Sequence, residues 1–255
     1  MDIFAEPRVV TDTKDCYFYH TMELPGIGKI AGNWDLNRNI RSYLGNVSFK
    51  GKRVLDVGCA SGVLSFFMEE QGAEVVSFDM DKNVAWDMVP YAKWEHFHHI
   101  LQERRAIIDK LNNGFWLAHR TLNSKVKAVY GSVYAIPEAI GPVDICVFGS
   151  ILLHLRDPFL ALQNGLKLTR EKVIVSDVLR APATAAQEPC LVFLPDAKTV
   201  EPKDTWWDVR PAWVARALGV LGFEKTTTTY HVHKYDGQDY QCYSVVGTRT
   251  HGRTA

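Results

Sequence analysis

The sequence predicts an α/β protein with a doubly wound, mostly parallel sheet of seven strands that ends in an antiparallel hairpin. Apolar, strand-like segments alternate with helical patterns from residue 53 to about residue 180. This alternation is typical of a parallel sheet that carries helices on both faces. Two more strand-like segments close the chain with only the short polar loop 236–239 between them, which indicates a hairpin.

Clear helix signals separate the predicted strands. Gly72 ends the first helix, at a position that favours a left-handed cap residue. Asp157 and Pro158 supply an N-cap and a first-turn proline for a later helix. Pro211 opens the last helix and Gly222 ends it. In chain order, the seven predicted strands are 53–57, 74–78, 126–130, 143–148, 172–178, 225–231 and 240–248.

Two segments depart from the alternation. Residues 1–50 mix aromatic residues and glycines without a strand–helix repeat, and we expect them to form a lid over the mouth of the sheet. The chain between Asp79 and Ser132 is far longer than the dozen or so residues that a crossover helix needs. We therefore predict an extra amphipathic helical segment at 91–122. The lid and the main unit, 51–250, are expected to behave as one domain.

The composition narrows the class of protein. The 255 residues include 29 basic and 29 acidic side chains, and this balance disfavours a nucleic-acid partner. No uncharged apolar run reaches the roughly 18 residues of a membrane span, so we expect a cytoplasmic protein without membrane contact. The five cysteines are scattered, and no metal site is predicted. The sequence leaves a homodimer open.

The segment RVLDVGCASGVLS, residues 53–65, is predicted to run from a strand through a glycine turn into a helix. A dinucleotide site needs the pattern G-x-G-x-x-G for its pyrophosphate, whereas here only Gly62 follows Gly58. Asp56 precedes the turn, and an acidic residue there suits a cationic ligand better than a phosphate. Asp79 ends the second strand, where a carboxylate can accept both ribose hydroxyls. Together these features favour a sulfonium nucleoside, S-adenosylmethionine.

Five segments in register resemble the class I S-adenosylmethionine-dependent methyltransferases, which have a Rossmann-like fold. The segments are VLDVGCASG, VVSFDMD, YGSVYAIP, VDICVFGSILLHL and VIVSDV. They cover roughly 53–178, and the closing helix and hairpin fit the same fold to about residue 248. The resemblance implies a methyl-transfer enzyme that releases S-adenosylhomocysteine.

The resemblance also implies the cofactor-binding residues. Asp56, Gly58 and Gly62 are expected at the methionine part, and Asp79 at the ribose. Met80, Ser132 and Val133 are expected at the adenine, and Gly149 and Ser150 at the sulfonium. Two of the residues at the site depart from the family pattern. Ala60 stands where many members have glycine, and Ser132 stands where an aspartate often meets the adenine amino group. Trp34 is a further candidate for stacking beside the cofactor, with simple core packing as the alternative.

Methyl transfer to a hydroxyl or an amine benefits from a base, and His154 is the candidate because it follows the fourth strand in ILLHLRD. The alternative is a histidine that only shapes the pocket. Tyr19 and His20, in the lid, are candidates for closing over the cofactor or touching the acceptor, with an ordinary packed lid as the alternative.

The predicted function is methylation of a small-molecule acceptor at oxygen or nitrogen. One alternative is a tRNA wobble-uridine carboxymethyltransferase, because VFGSILLHLRDPFLAL and the segment from residue 194 to 225 resemble that type. In our alignment with that enzyme type, His154 stands in the place of a tyrosine that helps to hold the carboxylated cofactor of that enzyme. The sequence also leaves open an NAD-dependent enzyme and a non-catalytic partner subunit that binds S-adenosylmethionine.

Overall fold

The structure is a computed structural model that describes residues 3–84, 86–93, 97–180, 182 and 185–252. It has the predicted α/β architecture, with one large, mostly parallel sheet. In chain order the strands are β1 (Met22–Leu24), β2 (Gly28–Ile30), β3 (Trp34–Asp35), β4 (Arg53–Val57), β5 (Glu74–Asp79), β6 (Lys127–Tyr130), β7 (Val143–Gly149), β8 (Thr169–Val178), β9 (Leu191–Phe193), β10 (Trp207–Val209), β11 (Lys225–Tyr235) and β12 (Gln238–Thr248).

Over the described residues, the large sheet has eight strands in the order β3-β11-β12-β8-β7-β4-β5-β6, so the prediction of seven was wrong by one. The five strands from β8 to β6 pair in parallel, while β12, β11 and β3 pair antiparallel. The additional strand is β3, whose Trp34 and Asp35 pair with Tyr235 and Lys234. A strand of two residues is too short to show a period-2 pattern in the sequence.

The helices are α1 (Ile40–Tyr43), α2 (Val63–Glu70), α3 (Phe97–Thr121), α4 (Pro158–Leu168) and α5 (Pro211–Val220). At the start of α4, the Asp157 side chain accepts a hydrogen bond from the Leu160 amide at 2.9 Å, which is the predicted N-cap. No described helix is long and apolar enough to cross a membrane.

Helix α3 lies where the extra segment 91–122 was predicted. It is the only helix described between the parallel neighbours β5 and β6, so it is the crossover itself rather than an addition to one. The surplus length lies before α3, in the segment 80–96. That segment includes four residues, 85 and 94–96, outside the described part of the chain.

The two faces of the sheet bury separate apolar clusters. Side chains alternate between faces along a strand: Val54 packs in the cluster under α2 and α3, and its neighbour Leu55 packs in the cluster under α4 and α5. Burying a side chain of this size contributes about 1.5–3 kcal/mol. Helices on both faces confirm the doubly wound arrangement.

The hairpin β11–β12 is confirmed, but its turn is shorter than the predicted loop 236–239. The strands meet across Asp236 and Gly237 alone, and both residues have positive φ angles, 47° and 81°. A two-residue turn of this kind matches the right-handed twist of the flanking strands, and Asp-Gly is one of its favoured sequences.

The N-terminal segment spans from α3 to the edge of the sheet. The Tyr17 amide donates to the Lys110 carbonyl on α3 at 2.9 Å, and β3 pairs with β11. Between these points, His20 forms an isolated bridge with Trp34. The segment therefore crosses the carboxyl ends of the parallel strands.

Candidate functional site

A cleft, here called the central cleft, lies at the carboxyl ends of β4, β5, β6 and β7, on both sides of the point where the strand order reverses. Ligands of open α/β sheets bind at such a point. The predicted site residues that line it are Tyr19, His20, Gly58, Ala60, Asp79, Met80, Ser132, Val133, Gly149, Ser150 and His154.

Asp56, Gly62 and Trp34 are not among the lining residues of the central cleft. The Asp56 side chain is fully buried and accepts a hydrogen bond from the Ser65 hydroxyl at 2.5 Å, so it lies under α2. Burial raises the pKa of Asp56 to about 7. Gly62 is the N-cap of α2 with a φ of 89°. Trp34 lines a neighbouring cavity.

The turn after β4 uses left-handed backbone at three positions. Gly58, Ala60 and Gly62 have φ angles of 78°, 51° and 89°. The φ of Gly58 favours glycine there, and a Cβ added to it would lie 2.6 Å from the Ile151 Cδ1 atom, so the Ile151 side chain would have to shift. Ala60 adopts a conformation that costs an L-residue about 1–2 kcal/mol, which explains why glycine is common at this position in the family that the sequence resembles.

Asp79 connects this turn with the end of β5. Its Oδ2 atom accepts the Ala60 amide at 2.6 Å, and its Oδ1 atom accepts the Met80 amide at 2.7 Å. Burial raises the pKa of Asp79, and these two amide hydrogen bonds counteract the rise. The Cys59 thiol also contacts this carboxylate. A carboxylate offers about four acceptor positions, so the remaining capacity of Asp79 is open to a ligand in the cleft.

The far end of the central cleft is formed by the turn after β7. Ser150 has a φ of 47°, and its amide donates to the Ser176 carbonyl at 2.7 Å. The Ser150 hydroxyl lies 2.8 Å from the Tyr43 hydroxyl. A Cβ added to Gly149 would lie 2.9 Å from a Leu64 methyl carbon. The chain therefore turns sharply here and presents Ser150 at the cleft.

His154 follows this turn, and its ring is held by one backbone contact. The Nδ1 atom lies 2.6 Å from the Asp204 carbonyl oxygen. Because a carbonyl can only accept, Nδ1 carries the proton and the neutral ring keeps Nε2 as an acceptor. Burial lowers the pKa of His154, against the raising effect of the Asp204 contact, and the cations Arg180 and Arg104 lower it further. The ring is therefore held neutral, as a base requires.

Tyr19 and His20 bring the N-terminal segment to the cleft. Burial lowers the pKa of His20 to about 4, and its Nδ1 atom has no hydrogen-bond partner in the described part of the chain. The Tyr19 hydroxyl accepts from the Trp34 indole N–H at 3.2 Å. Burial raises the Tyr19 pKa far above its ordinary value of 10. Near neutral pH, Tyr19 is thus a protonated phenol and His20 an uncharged imidazole.

The structure also shows site residues that the sequence analysis missed. Trp86, Asp87 and Tyr134 line the central cleft, and the Asp87 carboxylate binds the Tyr134 hydroxyl. Trp86 and Asp87 precede α3 in a segment without regular structure, so no periodic pattern marked them.

A second cavity, here called the side cavity, shares Tyr19, Ser150 and His154 with the central cleft. Its other lining residues are Trp34, Arg104, Leu153, Val178, Arg180, Asp204, Thr205, Tyr235 and Tyr240. Arg180 follows the carboxyl end of β8, so the rule that places ligands at strand ends could have indicated it. Tyr235 and Tyr240 flank the hairpin turn, and no local signal joined them to the site.

Comparison with known proteins agrees with this architecture. No family model matches the chain. A stretch of 32 residues, 12% of the chain, is 59% identical to a ubiquinone biosynthesis O-methyltransferase from Aliivibrio fischeri (strain MJ11), and the match spans only 14% of that relative.

Two of the solved structures that are similar to this chain match most of its length. An O-methyltransferase family protein from Burkholderia thailandensis superposes with a TM-score of 0.52 at 10% identity, over 86% of this chain and 57% of that one. A structure described as an RNA methyltransferase candidate, from Pyrococcus horikoshii, gives 0.50 at 15% identity, over 84% of this chain and 85% of that one. At such low identity the likeness concerns the fold alone, and the fold of this chain is that of the class I methyltransferases.

Proposed function

We propose that the protein is an S-adenosylmethionine-dependent methyltransferase that methylates a small-molecule acceptor at oxygen or nitrogen, with His154 as the general base. One observation carries the proposal. The Asp79 carboxylate and the glycine turn line the same cleft as His154, so a nucleoside site and a base face each other across one space.

The residues of the central cleft suit the proposed cofactor. Asp79 keeps acceptor capacity for the ribose hydroxyls, because two backbone amides, those of Ala60 and Met80, and the weakly donating Cys59 thiol do not use all of its lone pairs. Met80, Val133 and Phe78 supply apolar surface for the adenine ring. When bound, S-adenosylmethionine supplies an activated methyl group on a sulfonium. The chain itself then has to align the acceptor and exclude water, which can contribute about 7–11 kcal/mol.

His154 suits the role of base by its tautomer and its charge. Its Nδ1–H is committed to the Asp204 carbonyl, and no described residue forms a hydrogen bond with Nε2. An acceptor hydroxyl or amine can therefore transfer its proton to Nε2. A base placed in this way contributes about 10²–10⁴-fold in rate.

The side cavity supports a small acceptor. Tyr19 of the N-terminal segment and Tyr235 and Tyr240 of the hairpin line it together with His154, which follows β7. A cavity lined by three separate parts of the chain suits a small molecule better than an extended polymer. Tyr19 and His20, which stay uncharged, fit the tasks of covering the cofactor and keeping water out.

Calorimetric titration with S-adenosylhomocysteine and with NAD tests the proposal directly. We expect S-adenosylhomocysteine to bind and NAD not to bind. Asp79→Ala should weaken S-adenosylhomocysteine binding about 10²-fold or more, because two hydrogen bonds to a charged group are lost.

Asp81→Ala is the matched control, since Asp81 caps the Asn83 amide and does not line the cleft. It should change the affinity less than threefold. Asp79→Asn, with its thermal unfolding measured in parallel, separates loss of binding from loss of folding. Tight binding of NAD, or equal losses from Asp79→Ala and Asp81→Ala in folded protein, would refute the proposed cofactor.

A further inference from the structure

The side cavity has a wall of aromatic rings. The centroids of Trp34 and Tyr235 are 5.0 Å apart, those of Trp34 and Tyr240 are 6.1 Å apart, and those of Tyr235 and Tyr240 are 5.7 Å apart. The Trp34 indole N–H is already bound by the Tyr19 hydroxyl. This wall therefore offers ring surface on one side of the cavity, against which an aromatic ring of a ligand can pack.

Two arginines also line the side cavity, and they differ in their partners. The Arg104 guanidinium binds the Asp204 carboxylate at 2.5 Å and lies 5.2 Å from the Trp86 ring centroid. Arg180 is exposed and has no carboxylate within ion-pair distance in the described part of the chain. The ion pair balances Arg104, whereas Arg180 forms no direct ion pair among the described residues.

Two acidic groups interact electrostatically with Arg180 without pairing with it directly. Arg180 favours the ionised forms of Asp177 and Asp208, which places all three within electrostatic reach of each other. Asp208 lies 3.8 Å from the Arg210 guanidinium. Asp177 is buried, and one of its carboxylate oxygens accepts the Val178 amide at 2.7 Å. Neither carboxylate makes a direct ion pair with Arg180.

We propose that the side cavity binds an aromatic carboxylate as the methyl acceptor, with its ring against Trp34, Tyr235 and Tyr240 and its carboxylate on Arg180. A guanidinium can bind a carboxylate through two parallel hydrogen bonds, which fixes the orientation of the ring. A ring hydroxyl or amine then faces His154, which lines the same cavity. This inference rests on the proposed function and adds the chemical class of the substrate.

The proposed step is balanced within the site. The acceptor oxygen or nitrogen forms a bond to the methyl carbon as the carbon–sulfur bond breaks, and the sulfur leaves as a neutral thioether. The proton of the acceptor passes to His154 Nε2 and then to water. Arg180 keeps the carboxylate ionised throughout and takes no part in the transfer, so it acts on binding and orientation.

The test uses matched pairs of ligands on the protein saturated with S-adenosylhomocysteine. The pairs are 4-hydroxybenzoate with 4-hydroxybenzamide, and 6-hydroxy-2-naphthoate with its amide. Each pair keeps the ring and changes only the charge. We expect at least one acid to bind about 10- to 100-fold more tightly than its amide in calorimetric titration, as a hydrogen-bonded charge pair predicts.

Arg180→Gln should abolish the preference for the acid, because the amide side chain keeps hydrogen bonds but not the charge. Arg216→Gln is the control, since Arg216 is an exposed arginine on α5 outside both cavities, and it should keep the preference. Binding of S-adenosylhomocysteine should stay within threefold in both variants.

Five results would overturn the inference. Equal binding of acid and amide, or a preference that survives Arg180→Gln, would remove the role of Arg180. Failure of both acids to bind would remove the aromatic carboxylate while leaving the proposed function in place. A tenfold loss of S-adenosylhomocysteine affinity in Arg180→Gln would assign the arginine to the cofactor. Failure of wild-type protein to bind S-adenosylhomocysteine would refute the proposed function and this inference with it.

Discussion

The buried carboxyl of Asp56 should make the stability of the protein fall as the pH rises. Asp56 is fully buried, one of its oxygens has no partner in the described part of the chain, and burial raises its pKa from 3.8 to about 7. Between these two pH values the folded protein holds a proton that the unfolded chain has released. The stabilisation from the protonated group is therefore complete below about pH 4 and is lost as the pH rises through 7.

The size of the effect follows from the pKa. The rise from 3.8 to about 7 corresponds to about 4 kcal/mol in total, at about 1.36 kcal/mol per pKa unit. About 2.5 kcal/mol of this is lost between pH 5 and pH 8. Asp56→Asn is uncharged at every pH, so it should gain that amount relative to wild type over this range, whatever constant offset the amide introduces.

Urea unfolding followed by far-ultraviolet circular dichroism at pH 5 and pH 8 measures the difference. Other titrating groups, such as the buried His20, are present in both proteins and cancel. Ser65→Ala should shift the loss to higher pH, because the Ser65 hydroxyl lowers the Asp56 pKa. Ser77→Ala, which removes a hydroxyl bound to Ser65 rather than to Asp56, is its control. A stability difference between wild type and Asp56→Asn that is the same at pH 5 and pH 8, within about 0.5 kcal/mol, would refute the reasoning.

Two further predictions concern the cleft. Ala60→Gly should stabilise the protein by up to about 1 kcal/mol in urea unfolding, because relief of the left-handed strain exceeds the entropy that glycine adds to the unfolded chain. Its affinity for S-adenosylhomocysteine should stay within a few-fold of wild type. A loss of stability would contradict the φ of 51° at Ala60. His154→Asn should lower kcat/KM for an identified acceptor about 10²–10⁴-fold. Burial lowers the pKa of His154 below the ordinary histidine value of 6.5. The kcat/KM of the wild-type protein should therefore begin to fall only at a pH below 6.5. If the variant kept the acid limb of the pH profile, His154 would not be the base.

The parallel core of the fold was predictable because its signals are local. The strand Arg53–Val57 was predicted with its observed bounds, and the hairpin was predicted from two strand-like segments and a polar loop. The eighth strand was not predictable, because Trp34 and Asp35 are extended only through pairing with the distant Lys234 and Tyr235.

The residues of the site, too, were predictable where their signals are local and not where their positions depend on distant contacts. Gly58 and Asp79 were predictable because they sit at fixed places relative to strand ends, and both line the central cleft. The placement of Asp56 depends on which face of β4 its side chain takes, and contact with Ser65 puts it under α2. Tyr235 and Tyr240 reach the side cavity only because the hairpin packs beside the N-terminal segment, and sequence spacing does not record that contact.

The pairing of β3 with β11 has a consequence for the order of folding. Asn33 donates to the Asp236 carboxylate at 2.9 Å across 203 positions of sequence, and the strand pairing beside it spans a similar distance. Contacts this far apart in sequence form late, because loop closure must come before any gain from pairing. On the ribosome, residues 34 and 35 emerge long before residues 234 and 235, so the β3–β11 pairing must wait for the hairpin. A nascent chain stopped before residue 225 could form the glycine turn, yet it would lack Tyr235 and Tyr240, so the wall of the side cavity would be incomplete.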